Sequence, residues 1–337
     1  MDRKIVKIGL LGIGKMGQNH LRNLNLLKNV EVSFIYDVNK ELLEKSAKEF
    51  DVYALQDESE LENALQNSDG VIIVTPTFTH FDYIQKVSDH IKNIFVEKPL
   101  TDTLDTTQII VDAARNKNLC IQVGFIERYN PAIAALRELL KNSPRIFSVD
   151  FVRTNKMSNR ITDVDVVMDL MIHDIDLSLL FNGEAREVQA HGVVINGMIE
   201  YARAIITHKN GAFSTITASR ITEKRIRQIT ATCEDMYIDC NLLSKEVLIN
   251  KQTIEQHLHN ISISSRSESI EVRPQEALLL ELLDFSNMCR ANSRDSQVSN
   301  TAPKNEIAPN EIDGQNAMKI ANQIQNIIYT THTKGIQ

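Results

Sequence analysis

The chain has 337 residues, with 37 Lys+Arg against 44 Asp+Glu and a formal net charge of −7. With 42% hydrophobic and 24% charged residues it is not a largely disordered chain, and its length suits about two domains. The acidic surplus argues against nucleic acid or an anionic membrane as partner, and no apolar run reaches the ~18 residues of a membrane helix.

The first residues are interrupted by Lys7, Gly9, Gly12, Gly14 and Lys15, so a signal peptide is not expected and the protein is read as cytoplasmic. Ile5 to Leu11 is a strand candidate, Lys15 to Leu27 a helix, Val30 to Tyr36 a strand and Lys40 to Phe50 a helix. A short strand around Val52 to Leu55 and a helix from Glu58 to Gln66 follow. Val71 to Val74 is apolar throughout, as a strand buried on both faces should be. Next come a helix near His80 to Asp89, a strand Ile94 to Val96, a helix Leu104 to Asn116 and a strand Leu119 to Val123. Such β-α alternation predicts a parallel sheet with right-handed crossovers and helices on both faces.

The pattern then changes. After a helix at Ala132 to Lys141, strand signals crowd together at Ile146 to Thr154, Val188 to Ile195, Tyr201 to His208, Ala212 to Ser219, Gln228 to Cys233, Tyr237 to Cys240 and Glu246 to Asn250. Asn210-Gly211 is a hairpin-turn signal, because both residues tolerate φ > 0. One helix, Val166 to Phe181, interrupts these strands. Another follows at Gln275 to Arg290, with Pro274 at its first turn. Ala291 to Pro309 reads as an exposed loop and Gly314 to Ile328 as a closing helix. The expectation is an α/β protein with a doubly wound parallel domain over 1–123 and an α+β domain, built on a mainly antiparallel sheet, over 124–337. Cys120, Cys233, Cys240 and Cys289 form no C-x-x-C pair and read as buried thiols.

Gly12, Ile13, Gly14, Lys15, Met16 and Gly17 spell G-x-G-x-x-G after a strand and at the start of a helix. In that setting Gly12 permits the tight turn, Gly14 lets the backbone approach a pyrophosphate, and Gly17 lets helix and strand pack closely. The helix N-terminus offers N–H groups and positive dipole to the phosphates. Asp37 ends the next strand, where a carboxylate can accept from a ribose diol and repel a 2′-phosphate. With Val38 and Asn39 after it and no Arg, NAD is favoured over NADP. Thr75, Pro76 and Thr77 follow the buried strand at the sheet's carboxyl edge, beside the crevice where ligands bind. His80 reads equally as a cofactor contact or a helix-face histidine.

Glu97, Lys98 and Pro99 close another parallel strand, so the charged pair faces the crevice. Pro99 can adopt the cis form. In Asp169 to Asp176 the spacing puts Asp169 and His173 on one face of a helix at i, i+4, with Asp176 near it and Asp174 pointing elsewhere. A His flanked by carboxylates is a natural general base for an alcohol, which gives up hydride only as its hydroxyl loses a proton. A nearby Lys can stabilise the developing alkoxide. Lys98 could instead form a structural ion pair with Glu97. No third nitrogen or sulfur ligand accompanies the D-x-x-x-H pair at a recognisable spacing, so no metal is expected. Arg145, Arg153, Lys156 and Arg160 cluster ahead of this helix, and Arg forks suit a diphosphate; a solvated strand and loop is the other reading.

Together these residues resemble the Gfo/Idh/MocA oxidoreductases over nearly the whole chain. The resemblance implies an N-terminal Rossmann domain, a C-terminal domain on a large open sheet, and dimers or tetramers. Glu97, Lys98 and Pro99 match the family's E-K-P motif, whose Lys is implicated in catalysis. Asp169 and His173 match the D-x-x-x-H pair of its sugar and inositol dehydrogenases, in which the His is the acid/base. More finely, Gly124 to Pro131, including Arg128, Tyr129 and Asn130, together with Arg160 and the segment Asp169 to Asp176, resembles the UDP-N-acetylglucosamine 3-dehydrogenase branch. That implies oxidation of a sugar 3-hydroxyl, with Arg128, Tyr129, Asn130, Arg160, Asp169 and His173 at the substrate, to which the basic cluster adds Arg153. The rival readings are an inositol or free-sugar dehydrogenase of the same family and a non-catalytic NAD-binding sensor.

Overall fold

The computed structural model describes residues 5–156, 164–257, 260–292 and 305–334, with 252–257 and 260–265 described by their backbone. The chain forms two compact units, Met1–Tyr129 with Glu276–Gln315, and Asn130–Gln275 with Asn316–Gln337.

The first unit begins β1 (Val6–Leu11), α1 (Lys15–Leu24), β2 (Val30–Tyr36), α2 (Lys40–Phe50), α3 (Leu61–Gln66), β3 (Gly70–Ile73), α4 (His80–Ser88), β4 (Asn93–Glu97), α5 (Leu104–Lys117) and β5 (Cys120–Gly124). The five strands lie parallel in the order β2-β1-β3-β4-β5. β3 is buried at every position, as its unbroken apolar run demands. The expected strand at Val52 to Leu55 is reduced to a single bridge between Ala54 and Ile35. Local signals set the helix starts. Asn39 caps α2 by accepting from Leu42 N–H, and Thr103 with Thr106 forms a capping box on α5.

The second unit contains α6 (Pro131–Asn142), β6 (Ile146–Thr154), a π-helical turn (Val167–Met171) running into α7 (Ile172–Asn182), and seven further strands. These are β7 (Ala185–Ile195), β8 (Met198–His208), β9 (Phe213–Ser219), β10 (Ile226–Cys233), β11 (Tyr237–Asn241), β12 (Glu246–His257) and β13 (Asn260–Ile270). The eight-stranded sheet has the order β13-β12-β11-β10-β6-β9-β8-β7, antiparallel except for the parallel pair β6 and β9. Its registers put Val149, Phe151, Ile216, Ile229 and Ala231 on one buried face. The opposite face carries Ile205, Phe213, Tyr237 and Leu248, all exposed. At the expected Asn210-Gly211 turn, Gly211 has φ +91° and Asn210 accepts from Ala212 N–H through its side chain. A second such turn, Asn196-Gly197, joins β7 to β8 with φ of 51° and 82°.

Helix α8 (Ala277–Ala291) begins after Pro274, which lies outside its first turn; Glu276 is the N-cap. The sequence reading places α8 in the second domain, whereas the chain returns it to the first unit. It buries Leu278, Leu282, Phe285 and Cys289 in the same core as Ile8, Leu10, Leu21, Leu24 and Phe95. At ~1.5–3 kcal/mol for each fully buried large side chain, that contact is a major part of the unit's cohesion. The first unit accordingly runs on through 124–129 and takes back 276–315. The last helix, α9 (Glu311–Lys334), is longer than the expected Gly314 to Ile328, and its Asn316 onward belongs to the second unit. Most of the loop expected at Ala291 to Pro309 lies outside the described residues. No helix among the described residues is long and apolar enough to cross a membrane.

Candidate active site

The glycine turn has the division of labour that its spacing implies. Gly12 has φ +91°, and a Cβ there would meet the Val74 carbonyl oxygen at 2.6 Å. At Gly17 a Cβ would stand 2.0 Å from the Gly12 carbonyl oxygen, so turn and helix touch. Gly14 is different: nothing lies within 4 Å of where its Cβ would be. No side chain caps α1 and its first turn holds no acid, so its N-terminal N–H groups face that open space ready for an anion. Asp37 is fixed from both sides: Oδ2 accepts from Ile13 N–H at 2.6 Å and Oδ1 from Asn39 N–H at 2.8 Å. The carboxylate thus belongs to the glycine turn, and its remaining lone pairs suit a ribose diol. The open Gly14 cradle, the uncapped helix and the fixed acid fit NAD. Lys15 and Met16 are exposed beside them, and Ile13 is buried.

The loop after β3 is tied to the loop after β4 by His80. Its Nδ1 lies 2.9 Å from the Pro99 carbonyl oxygen and its Nε2 2.9 Å from that of Thr75. The ring is buried, and burial holds its pKa below the usual histidine value against the opposing hydrogen bonds. Its place is that of a clamp on the backbone around Thr75 and the cis Lys98-Pro99 bond. Thr75 accepts from Thr79, and Pro76 and Thr77 are partly exposed at the sheet edge. Glu97 accepts from His20 Nε2 at 2.7 Å, a partner 77 positions away that no sequence motif announces. Burial pushes the Glu97 carboxyl up, but the hydrogen bond and charge of His20, with Lys98 and His80, outweigh it and hold the group below its usual range. Lys98 is half-buried at the end of this edge.

In the second unit, every residue from Asp165 to Ser178 is buried except Asp169 and His173. Over this stretch the helix therefore shows one accessible stripe, and these two residues are on it. They flank the end of the π-helical turn, a local widening with i→i+5 bonding that recurs at functional sites. Asp165 anchors the turn: its Oδ1 accepts from Val167 N–H and Met168 N–H, and its Oδ2 accepts from Gln325 on α9. Arg220, just after β9, is buried and forked onto Glu200 at 2.8 and 3.0 Å. Its Nη1 donates to the Val164 carbonyl at 2.9 Å and lies 3.9 Å from Asp169 Oδ2. This cation behind Asp169 escaped the sequence reading, because 51 positions and four elements, α7 to β9, separate the pair.

The residues expected at the substrate mostly have internal partners. Arg153 is buried and gives Nε and Nη2 to Asp174 at 2.8 and 2.7 Å. That explains why Asp174 points away from the His173 stripe. Arg128 is buried, 3.3 Å from Asp313 and 3.3 Å from the Ile307 carbonyl oxygen. Tyr129 donates to Asp284 at 2.7 Å, and Asn130 caps α6 by accepting from Ala132 N–H. A substrate group would have to share or displace these bonds. Asp176 is also buried, whereas Arg145 and Lys156 are exposed and Arg160 lies outside the described residues.

Comparison with known proteins places this geometry. Residues 6–125 match the family model described as an oxidoreductase family with an NAD-binding Rossmann fold, and residues 146–238 match the GFO/IDH/MocA C-terminal domain. The UDP-N-acetylglucosamine 3-dehydrogenase of Acidithiobacillus ferrooxidans is 28% identical over 85% of this chain and 90% of its own. A solved structure of the enzyme of that name and organism superposes with a TM-score of 0.82 at 26% identity, covering 96% of this chain and 97% of the other. The scyllo-inositol 2-dehydrogenase (NAD(+)) of Bacillus subtilis is also 28% identical, over 85% and 86%. With both domain models matched in order and the glycine cradle, E-K-P edge and D-x-x-x-H stripe in place, the chain belongs to the Gfo/Idh/MocA family of NAD-dependent oxidoreductases.

Proposed function

We propose that this dehydrogenase oxidises the 3-hydroxyl of a UDP-N-acetyl-hexosamine to a ketone, in the cytoplasm. The observation that carries the reading is the accessible stripe of Asp169 and His173 within the otherwise buried stretch from Asp165 to Ser178. His173 takes the hydroxyl proton, Asp169 orients His173 or the sugar, and Arg220 keeps a positive charge behind Asp169. Lys98 stabilises the oxygen as its proton leaves. The Gly14 cradle and Asp37 would hold the pyrophosphate and ribose of NAD, which would supply the hydride acceptor. Likeness to the Acidithiobacillus enzyme over most of both chains supports this choice of sugar.

A second reading, inositol or an unphosphorylated sugar, is favoured by one observation. Arg128 and Arg153, two of the forks expected at a diphosphate, are engaged by Asp313 and Asp174. The equal identity to the inositol enzyme keeps this reading open without favouring it. Incubation with UDP-N-acetylglucosamine and NAD, followed by the absorbance of reduced cofactor, separates the two. Turnover of the nucleotide sugar supports the first reading; turnover of inositol alone replaces it. We infer, further, a homodimer or homotetramer in which the exposed sheet face of Ile205, Phe213, Tyr237 and Leu248 is covered. A monomer in solution by light scattering would refute that.

A further inference from the structure

Beneath α1 and α8, the first unit buries polar atoms that lack hydrogen bonds among the described residues. His20 spends Nε2 on Glu97, and its Nδ1 has no partner. Gln122 on β5 gives Nε2 to Tyr129 at 3.1 Å and to the Glu281 carbonyl at 3.4 Å, and its Oε1 has no donor. Asn23 gives its amide to Asn19 and Glu276, leaving Oδ1 bare. Glu281 on α8 is fully buried, and neither of its carboxyl oxygens has a partner.

This set is rich in acceptors and short of donors. Glu97 at the end of β4, Asp284 on α8 and Tyr129 in the turn 126–129 interact electrostatically with Glu281, and α8 also packs on α1, which carries His20, and on that turn, which carries Arg128. Arg128 is committed to Asp313 and the Ile307 carbonyl, and Tyr129 donates to Asp284. An ionised Glu281 would add another acceptor and a second negative charge beside Glu97, unsolvated and without a hydrogen bond. A protonated one carries no charge and brings a donor to this acceptor-rich set.

We propose that Glu281 is a positioning residue, a neutral carboxylic acid that leaves Glu97 as bearer of the negative charge and so fixes the Glu97-Lys98 edge. Burial, followed by the charges of Glu97 and Asp284, pushes Glu281 well above the usual carboxyl range, in keeping with that role. The effect on turnover rests on Lys98 acting on the substrate oxygen; the protonation state does not.

Glu281→Leu and Glu281→Gln test this in the full-length enzyme. Leu removes the donor and should lower kcat about 5-fold with little change in the KM for NAD, while Gln, isosteric with the neutral acid, should restore most of the rate. A native acid holding its proton where the unfolded chain has lost it loses stability as pH rises from the ordinary carboxyl value toward its own. Measured against Glu281→Gln, which keeps every other titrating group, the thermal midpoint of the natural protein should fall over that range. Infrared spectra at neutral pH should show a carboxylic-acid C=O band that Glu281→Gln lacks. Equal loss of kcat in both variants, an unchanged pH slope, or no such band would each overturn the proposal. If no sugar is turned over, the substrate reading fails, and the infrared band and the pH slope still decide the case for Glu281.

Discussion

Arg153 and Asp174 meet through two parallel hydrogen bonds, 2.8 and 2.7 Å long, with both side chains buried between β6 and α7. Removing one partner strands a charge in the interior, which costs about 3–5 kcal/mol. Arg153→Ala should therefore unfold at much lower urea, whether or not substrate is present. Replacing both residues by apolar ones of similar size should recover much of the loss. A rise in KM with unchanged stability would instead restore Arg153 to the substrate.

Two glycines of the same turn should respond differently to a methyl group. At Gly14 nothing lies within 4 Å, so Gly14→Ala should leave the unfolding midpoint of the cofactor-free protein within roughly 0.5 kcal/mol. It should still weaken NADH binding, read by cofactor fluorescence, because the methyl occupies the approach of the pyrophosphate. At Gly17 the same methyl would meet the Gly12 carbonyl oxygen at 2.0 Å, so stability and binding should fall together.

Gly124 stands against Glu97: a Cβ there would be 2.8 Å from Oε2. Gly124→Ala should push the carboxylate off His20 and lower kcat about 10-fold, with the KM for the sugar changed less. Steady-state kinetics check this.

Acid should destabilise the protein through two histidines. Burial lowers the pKa of His80, and that of His208 against its hydrogen bond to the Gly183 carbonyl. Between the ordinary value of 6.5 and these lower values the unfolded chain binds protons that the native state refuses. Stability is then fully present above pH ~6.5 and is lost as pH falls toward the native values. The advantage in thermal midpoint of the natural protein over His208→Gln should therefore shrink as pH falls from 8 to 5.

The glycine fingerprint, Asp37 and the E-K-P edge are legible in the sequence because each depends on local turn chemistry at the end of a strand. The Asp169 and His173 stripe is legible from spacing, although the π-helical turn beneath it has no sequence signature. His20 on Glu97 and Arg220 behind Asp169 are not legible, since each pair joins distant elements. Strand β13 escaped because its Ser-rich sequence, NISISSRSESI, lacks a sustained apolar alternation. The destination of α8 was hidden for another reason: an apolar helix face fits either core equally well until the fold brings one to it.

The return of α8 to the first unit has a consequence for how the protein is made. Leu278, Leu282 and Phe285 complete a core whose other members, from Val6 to Phe95, leave the ribosome at least 183 residues earlier. During synthesis that face of the nascent sheet, with Phe95 and buried Gln122 on it, waits uncovered while residues 130–275 of the second unit emerge. Expressed alone, a fragment ending at Tyr129 should be aggregation-prone. One in which a short linker joins residue 129 to 276–292 should be soluble and bind NADH.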